Sequence, residues 1–382
     1  MTRSAVARLP ILAALLCLAL SGCATIHRAP FTEAEQQAAV IPGLPEARFW
    51  ADAPDAARRM RPAFRDADGR VAMLALSGGA DEGAYGAGVL NGWSASGQRP
   101  VFSIVTGVST GALIAPFAFL GPAYDPVIAR VYTSIDAHDV YRWRFPLAIP
   151  GSTSAASTKP LTHLIDTQVT DAVIDAVAGE HRRGRRLLVG TANLDAQRMV
   201  VWDMGAIAAS SLPGRRVLFR RILLASAAIP VLFPPVAIAA ESNGRTIREL
   251  HVDGGTIAQV LSVPRQLIVS DADAPDSGRL SLYLLVNSRL GGDFHIVTPR
   301  TVPILKRAFA LDLQSALFSL ASTAYLYPHD HGIDYNLSYI GNDLPASSEL
   351  FDTGYMRRLY AYGFQRGRTG SFWTKRPPGA ER

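Results

Sequence analysis

The chain has 382 residues, of which 48% are hydrophobic and 18% are charged. This composition excludes extended disorder, because disordered chains combine few apolar residues with many charges. The formal net charge is +6 and the cations are almost all arginine, which fits either a coding bias or contact with anionic lipid headgroups. No basic patch with interleaved aromatic residues is present, so nucleic-acid binding is not predicted.

The N-terminus predicts export. Arg3 and Arg8 precede an apolar run over 9–20, which is typical of a secretory signal and too short to span a membrane stably. The run ends in "LSGC" at 20–23, which resembles the lipobox of bacterial lipoproteins. That resemblance implies a signal peptide over 1–22 and a lipidated Cys23 as the first mature residue. Cleavage by an ordinary signal peptidase is the alternative.

Cysteine usage agrees with this prediction. Cys17 would leave with the signal peptide and Cys23 would carry acyl chains, so the mature chain has no thiol for disulfides or catalysis. The acyl anchor would hold the protein on a membrane of the cell envelope without a spanning helix. Ala24, rather than Asp, after the cysteine fits sorting to the outer membrane. We interpret residues 23–68 as a tether and an N-terminal arm.

The first predicted elements form two similar units. "VAMLALSGG" (71–79) predicts a buried strand that enters a glycine-rich loop, and "GAYGAGVLNGW" a helix with small residues on one face. "VFSIVTG" (101–107) predicts a second buried strand, followed at once by the helix "TGALIAPFAFLG". Two successive units of strand, glycine turn and helix indicate a parallel α/β sheet.

The pattern continues to the C-terminus. The next segment, "LTHLIDTQVTDAVIDAVAGEH", has helical spacing and is followed by the strand pair "RRLLVGTANL" and "RMVVWDMG". The helix "RILLAS" then ends before Pro230, and two strands follow, "TIRELHVDGG" and "RLSLYLLVNS". The last predicted elements are the long helix "VPILKRAFALDLQSALFSLASTAYLY" and a terminal helix in "SELFDTGYMRRLYAYGFQRG". Residues 144–160 predict a loop, either a flap over a lipid groove or a surface connection. We assign residues 69–370 to one catalytic domain and 371–382 to a C-terminal tail.

The stretch "TGVSTGALIAP" contains a G-x-S-x-G pattern centred on Ser109. A strand ends at Thr106 and a helix starts directly after the serine, which is the sharp turn that presents a nucleophile at the edge of a hydrolase sheet. The helix N-terminus also favours developing negative charge. A serine that only occupies a turn between two glycines is the structural alternative.

A nucleophilic serine also needs an oxyanion site and a base. Gly78, Gly79 and Ala80 are small consecutive residues whose N–H groups could point at one anion. The loop lacks the patterns of phosphate-binding loops. Asp253 ends a strand and precedes two glycines, so it is the candidate base; an acidic turn residue is the structural alternative.

The order of glycine-rich loop, G-x-S-x-G and D-G-G resembles that of patatin-like phospholipases. The likeness extends over roughly residues 70–366 and includes "GTANLDAQRMVVWDMG" and "ASAAIPVLFPPV". It implies a three-layer α/β/α fold with a mostly parallel central sheet and a nucleophile-elbow serine. It also implies a Ser-Asp dyad that needs no histidine, metal or organic cofactor.

Carried onto this chain, the resemblance makes Ser109 the nucleophile and Asp253 its base. The oxyanion-hole donors are then the N–H groups of Gly78, Gly79 and Ala80, with that of Thr110 as a further candidate. The loop departs from the family pattern G-G-G-x-[Arg/Lys]-G, because Asp81 and Glu82 follow Ala80. Carboxylates directed into the site would oppose an oxyanion, so we expect both to face solvent.

Three histidines offer alternatives to the dyad. His251 lies two residues before Asp253, and "YPHDHG" places His329 and His331 after it. Either location could supply a triad histidine, and the second cluster could bind a metal. Polar loop histidines after the long helix are the structural alternative, and the resemblance favours it.

The sequence therefore predicts a membrane-anchored serine acyl hydrolase acting on phospholipid or lysophospholipid esters. The alternative is an anchored binding or scaffold protein that keeps the fold without turnover, which the Asp81-Glu82 pair favours. Whether it has protein partners is not determined by the sequence.

Overall fold

The computed structural model describes residues 28–144, 153–261, 279–292, 294, 296–347, 349–370 and 372–379. The predicted signal peptide, Cys23 and residues 145–152 of the predicted loop lie outside the described residues. Among the described residues, no helix has both the length and the apolar character needed to span a membrane.

The strands and helices are numbered here in chain order. The strands are β1 (Arg48–Trp50), β2 (Val71–Leu76), β3 (Ile104–Gly107), β4 (Arg142–Trp143), β5 (Ala156–Ser157), β6 (Arg186–Asn193), β7 (Arg198–Asp203), β8 (Val236–Ser242), β9 (Arg245–Asp253), β10 (Leu280–Arg289) and β11 (Asp334–Ile340). The α-helices are α1 (Glu33–Ala38), α2 (Ala56–Met60), α3 (Gly83–Ala95), α4 (Thr110–Leu120), α5 (Asp125–Ser134), α6 (Ala137–Val140), α7 (Lys159–Gln168), α8 (Asp171–Arg182), α9 (Met204–Ala209), α10 (Arg215–Ser226), α11 (Thr301–His331) and α12 (Thr353–Thr369).

The described strands form one large mixed sheet and a small hairpin. The sheet order is β1-β7-β6-β3-β2-β10-β11, and β9, with β8 beside it, pairs with the end of β6. Five neighbouring strands run parallel to one another: β6, β3, β2, β10 and β11. The remaining strands, β1, β7, β8 and β9, pair antiparallel with their neighbours. Because parallel strands end at one edge, the loops after β2, β3 and β10 meet there.

Helices cover both faces of this sheet. One buried core includes side chains of α3, α4, α8 and α12, and the other includes side chains of α2 and the middle of α11. The predicted three-layer α/β/α fold with parallel central strands is therefore confirmed. The region 161–181 forms two helices, because Thr170 caps α8 through its hydroxyl, which accepts from the Val173 N–H at 3.3 Å.

Three strands of the large sheet, β1, β8 and β11, were not predicted from the sequence. β1 lies in the segment interpreted as an arm, yet it pairs with β7 at the edge of the sheet. Its Arg48 forms a buried ion pair with Glu249 of β9. The N-terminal segment therefore contributes to the fold of the strand that carries Asp253.

Glycines set the close packing of α3 against α12. A Cβ atom on Gly88 would lie 2.1 Å from the Tyr360 carbonyl oxygen, and one on Gly92 would lie 2.0 Å from that of Phe364. Gly363 and Gly367 of α12 are equally close to the backbone of α3. The small-residue face predicted for α3 is thus the face on which the two backbones meet.

We expect Gly88→Ala to lower the free energy of unfolding by about 1–3 kcal/mol, because overpacking forces the helices apart. Gly179→Ala is the matched control, since Gly179 also lies in a helix but a Cβ there meets open space. It should stabilise the protein by about 0.5–1 kcal/mol through helix propensity. Urea unfolding of the two variants checks this, and equal midpoints would contradict it.

Candidate active site

Ser109 lies in a strained turn between β3 and α4. Its φ of 55° and ψ of −125° are unusual for a residue with a side chain, and such strain persists where the surroundings enforce it. The turn requires glycine at two positions. A Cβ on Gly107 would lie 2.5 Å from the Gly111 carbonyl oxygen, and one on Gly111 would lie 2.5 Å from that of Leu76.

Ser226, the last residue of α10, holds this turn from the side. The Ser109 N–H donates to the Ser226 Oγ at 3.0 Å, and the Ser226 hydroxyl donates to the Gly190 carbonyl at 2.7 Å. All three residues are well shielded from solvent, and Ser109 is 7% exposed. The backbone of the serine is therefore fixed while its hydroxyl remains available.

Asp253 ends β9 opposite Thr191 of β6. Gly254 permits this close pairing, since a Cβ there would lie 2.6 Å from the Gly190 carbonyl oxygen. The Gly255 N–H donates to the Asp253 Oδ1 at 2.7 Å. Burial raises the pKa of Asp253 to about 6, while hydrogen bonds from the Ser109 hydroxyl and the Gly255 N–H oppose part of the rise. The carboxyl group is thus beside the serine and close to titrating at neutral pH.

The glycine-rich loop after β2 faces the same turn. Gly78 lies against the serine, because a Cβ on Gly78 would lie 3.2 Å from the Ser109 Cβ. The Gly78 N–H, predicted as an oxyanion donor, instead donates to the Gln259 carbonyl at 3.0 Å. Within the described part of the chain, no acceptor is found for the N–H groups of Gly79, Ala80 or Thr110. These three amides are the donors that this structure leaves for an anion.

The two carboxylates of the loop do not face solvent, which corrects the expectation from the sequence. Glu82 forms an ion pair with Arg289 at the end of β10, with 2.6 Å between Nη1 and Oε1, and the Tyr355 hydroxyl donates to it at 3.1 Å. Burial raises the pKa of Glu82, and the Arg289 guanidinium opposes this rise. Asp81 is buried and accepts from the Phe351 N–H at 3.1 Å. Both groups are therefore partnered within the fold.

His251 contacts residues other than the proposed dyad. His251 is fully buried, with its Nδ1 2.9 Å from the Thr191 hydroxyl and its Nε2 3.2 Å from Glu249. It belongs to the network that links β9 to Arg48 of β1. His329 and His331 lie in the last turn of α11 rather than in a loop. No metal-binding group of His, Cys, Asp and Glu side chains occurs in the described ranges.

A large apolar pocket opens beside Ser109. Its volume is about 760 Å³ when the solvent-open space at its mouth is counted, and its walls are hydrophobic except for Ser109, Thr110 and Gln168. Phe117 of α4, Leu164 of α7 and Phe233 after α10 are among the wall residues. A hydrocarbon chain with its polar end at Ser109 matches this distribution.

Three residues that support the site were not predicted from the sequence. Ser226 accepts a hydrogen bond from the Ser109 N–H, and the Gln259 carbonyl accepts one from the Gly78 N–H. Arg289 donates to the Glu82 carboxylate. Each contact joins segments that are distant in sequence. The only sequence signal for Arg289 is a charged residue at the end of a buried strand. That signal does not say which neighbour it will pair with.

The match to a protein-family model agrees with the geometry. The family model described as patatin-like phospholipase matches residues 74–262. Among solved structures, the chain is similar to the crystal structure of VipD from Legionella pneumophila, with 12% sequence identity and a TM-score of 0.40 over 80% of this chain and 69% of that chain. A search of curated proteins finds no match. Through residues 74–262, which include both Ser109 and Asp253, this chain belongs to the patatin-like phospholipase family.

Proposed function

We propose that this protein is a lipid acyl-ester hydrolase with Ser109 as nucleophile and Asp253 as general base. Family membership supports lipid acyl hydrolysis in general. The observation that carries the dyad is a strained serine beside a buried carboxyl group and a loop with amide N–H groups that the described residues leave free. Ser109, Ala80 and Thr110 line the apolar pocket.

The chemistry follows from these positions. The Asp253 carboxylate takes the hydroxyl proton as the Ser109 Oγ attacks the ester carbonyl carbon. The carbonyl oxygen becomes an oxyanion, which accepts from the N–H groups of Gly79, Ala80 and Thr110. The intermediate collapses, the alcohol leaves with the proton from Asp253, and the acyl group stays on Ser109. Asp253 then takes a proton from water, which attacks the acyl carbonyl carbon. The bond between the acyl group and the Ser109 Oγ breaks, the fatty acid leaves, and Asp253 returns the proton to the Ser109 Oγ.

The pocket favours lipid esters over small ones. Its hydrophobic walls would hold an acyl chain, whereas a short ester would leave most of those walls without a contact. Phospholipids and lysophospholipids combine such a chain with an ester near a polar headgroup. We therefore infer that they are the leading substrates.

Fatty-acid release from a panel of phospholipids, lysophospholipids and short-chain esters tests this proposal. Wild type should release acid in EDTA, fastest from a long-chain substrate, and Ser109→Ala should release none. A folded wild-type protein that releases no fatty acid from any substrate would overturn the proposal. The non-catalytic alternative has lost its main support, because Asp81 and Glu82 both have partners within the fold.

The pH dependence reports on the proposed base. We expect kcat/KM to rise with pH around a midpoint near 6, because Asp253 must be ionised to accept the serine proton and burial raises its pKa to about 6. Initial rates on a soluble ester from about pH 4.5 to about pH 8.5 would measure it. A rate that stays flat across this range would argue against Asp253 as the base.

We also propose that Cys23 carries a lipid anchor that holds the enzyme at the outer membrane. The support is the sequence, in which "LSGC" follows an apolar run. Radiolabelled palmitate should enter wild type and Cys17→Ala, and should not enter Cys23→Ala. Label that persists in Cys23→Ala would refute the anchor.

A further inference from the structure

Asn287 lies at the end of β10, directly beside the loop that follows β2. β2 and β10 pair in parallel up to Leu76 and Leu285, so the residues after both strands continue side by side. Asn287 is fully buried. It has no role in the mechanism above, and it was not predicted as a site residue.

The side chain of Asn287 bridges both ends of the oxyanion loop. Its Nδ2 donates to the Ser77 carbonyl at 2.9 Å, and its Oδ1 accepts from the Gly86 N–H at 3.1 Å. Its own backbone N–H donates to the Ser77 Oγ at 2.7 Å. One residue therefore fixes the loop before Gly78 and again after Glu82.

The middle of the loop rests on the same residue. A Cβ on Gly79 would lie 2.0 Å from the Asn287 carbonyl oxygen, so the Gly79 backbone is pressed against it. Ala80 follows with a φ of 49°, a conformation that is unfavourable for a residue with a Cβ atom. Strained backbone of this kind persists only when its surroundings enforce it.

We propose that Asn287 is a positioning residue for the oxyanion hole, which rests on the proposed hydrolase function. By bridging Ser77 and Gly86, it holds the intervening segment in the conformation that directs the Gly79 and Ala80 N–H groups at the anion. Its described hydrogen bonds go to Ser77 and Gly86 and not to Ser109, so it would act through the loop. Its effect is on the transition state, because the donors are needed where charge develops.

The test compares Asn287→Ala with Asn336→Ala. Asn336 is a matched control: it is also a buried asparagine, and its Nδ2 donates at 3.3 Å to the Leu282 carbonyl of β10. It lies near the start of β11, away from the edge that carries Ser109. We expect Asn287→Ala to lower kcat by about 10²-fold, the effect of losing an oxyanion donor, with KM within about twofold. Asn336→Ala should leave kcat within about twofold even if it lowers stability.

In the same samples, amide hydrogen exchange of the peptide over 77–86 is measured by mass spectrometry. Exchange should accelerate in Asn287→Ala and stay unchanged in Asn336→Ala. Equal kcat losses in both variants, or unchanged exchange in Asn287→Ala, would overturn the proposal. If wild type hydrolyses nothing, the proposed function fails, while the exchange result still decides whether Asn287 fixes the loop.

Asn287→Asp keeps the test usable if Asn287→Ala does not fold. It preserves the side-chain volume and the acceptor for the Gly86 N–H but removes the donor to Ser77. The same loss of kcat and the same faster exchange are expected. Wild-type kcat and exchange in this variant would contradict the positioning role.

Discussion

Asp253→Asn is expected to lower kcat by about 10²–10⁴-fold, because asparagine cannot accept the serine proton. The change is nearly isosteric, and the Asn Oδ1 can still accept from the Gly255 N–H that binds Asp253. Loss of activity would therefore report the missing base rather than a distorted site. Initial rates on a soluble ester, with folding checked by circular dichroism, measure the effect.

The same substitution should stabilise the protein above neutral pH. Burial raises the pKa of Asp253 in the folded state to about 6, above the 3.8 of the unfolded chain. Below about pH 4 the group is protonated in both states and costs nothing. Between about pH 4 and about pH 6 the unfolded chain ionises while the folded protein keeps its proton, so the free energy of unfolding of wild type falls as pH rises. Above about pH 6 the folded protein buries the charge and the full cost, up to about 3 kcal/mol, is reached.

Urea unfolding at about pH 8 and about pH 4 separates these regimes. Asp253→Asn should be more stable than wild type at the higher pH and equal to it at the lower. Asp312→Asn, on the exposed face of α11, is the control and should change neither stability nor rate. An active Asp253→Asn protein, or one less stable at both pH values, would contradict this account of the carboxyl group.

Arg289→Met is expected to destabilise the protein by about 3 kcal/mol, because it leaves Glu82 buried without its cation. The two side chains are 9% and 22% exposed, so neither charge is well hydrated. Activity should fall as well, since Glu82 lies in the same loop, two residues after the proposed oxyanion donor Ala80. Thermal or urea unfolding and initial rates would be measured together.

A second variant separates the pair from the loss of packing. Glu82→Gln combined with Arg289→Met removes both charges and should recover most of the lost stability. Lys375→Met breaks the exposed ion pair with Asp334 and should cost less than about 1 kcal/mol. If the double variant is no more stable than Arg289→Met alone, the buried charge of Glu82 is not the cause of the destabilisation.

Local patterns predicted the elements that carry the chemistry. Ser109 and Asp253 each lie where a buried strand meets glycines, and such turns are set by residues adjacent in sequence. The parallel central strands and the long helix α11 were predicted from apolar runs and helical spacing. β1, with only three residues, offered no comparable signal.

The supports of the site could not be predicted in this way. The partner of Glu82 is Arg289, 207 residues later, and the partner of the Ser109 N–H is Ser226, 117 residues later. These contacts depend on which strands become neighbours and in what register. The same reason explains why Asp81 and Glu82 were expected to face solvent: their partners come from β10 and from the segment before α12.

The most direct test of the central claim is covalent labelling by a fluorophosphonate, read by peptide mass spectrometry. The account predicts one adduct on wild type, located on Ser109, and none on Ser109→Ala. Labelling should slow in Asp253→Asn, because the base that activates the hydroxyl is absent. A folded wild-type protein that takes no label, or an adduct that persists in Ser109→Ala, would contradict Ser109 as the nucleophile.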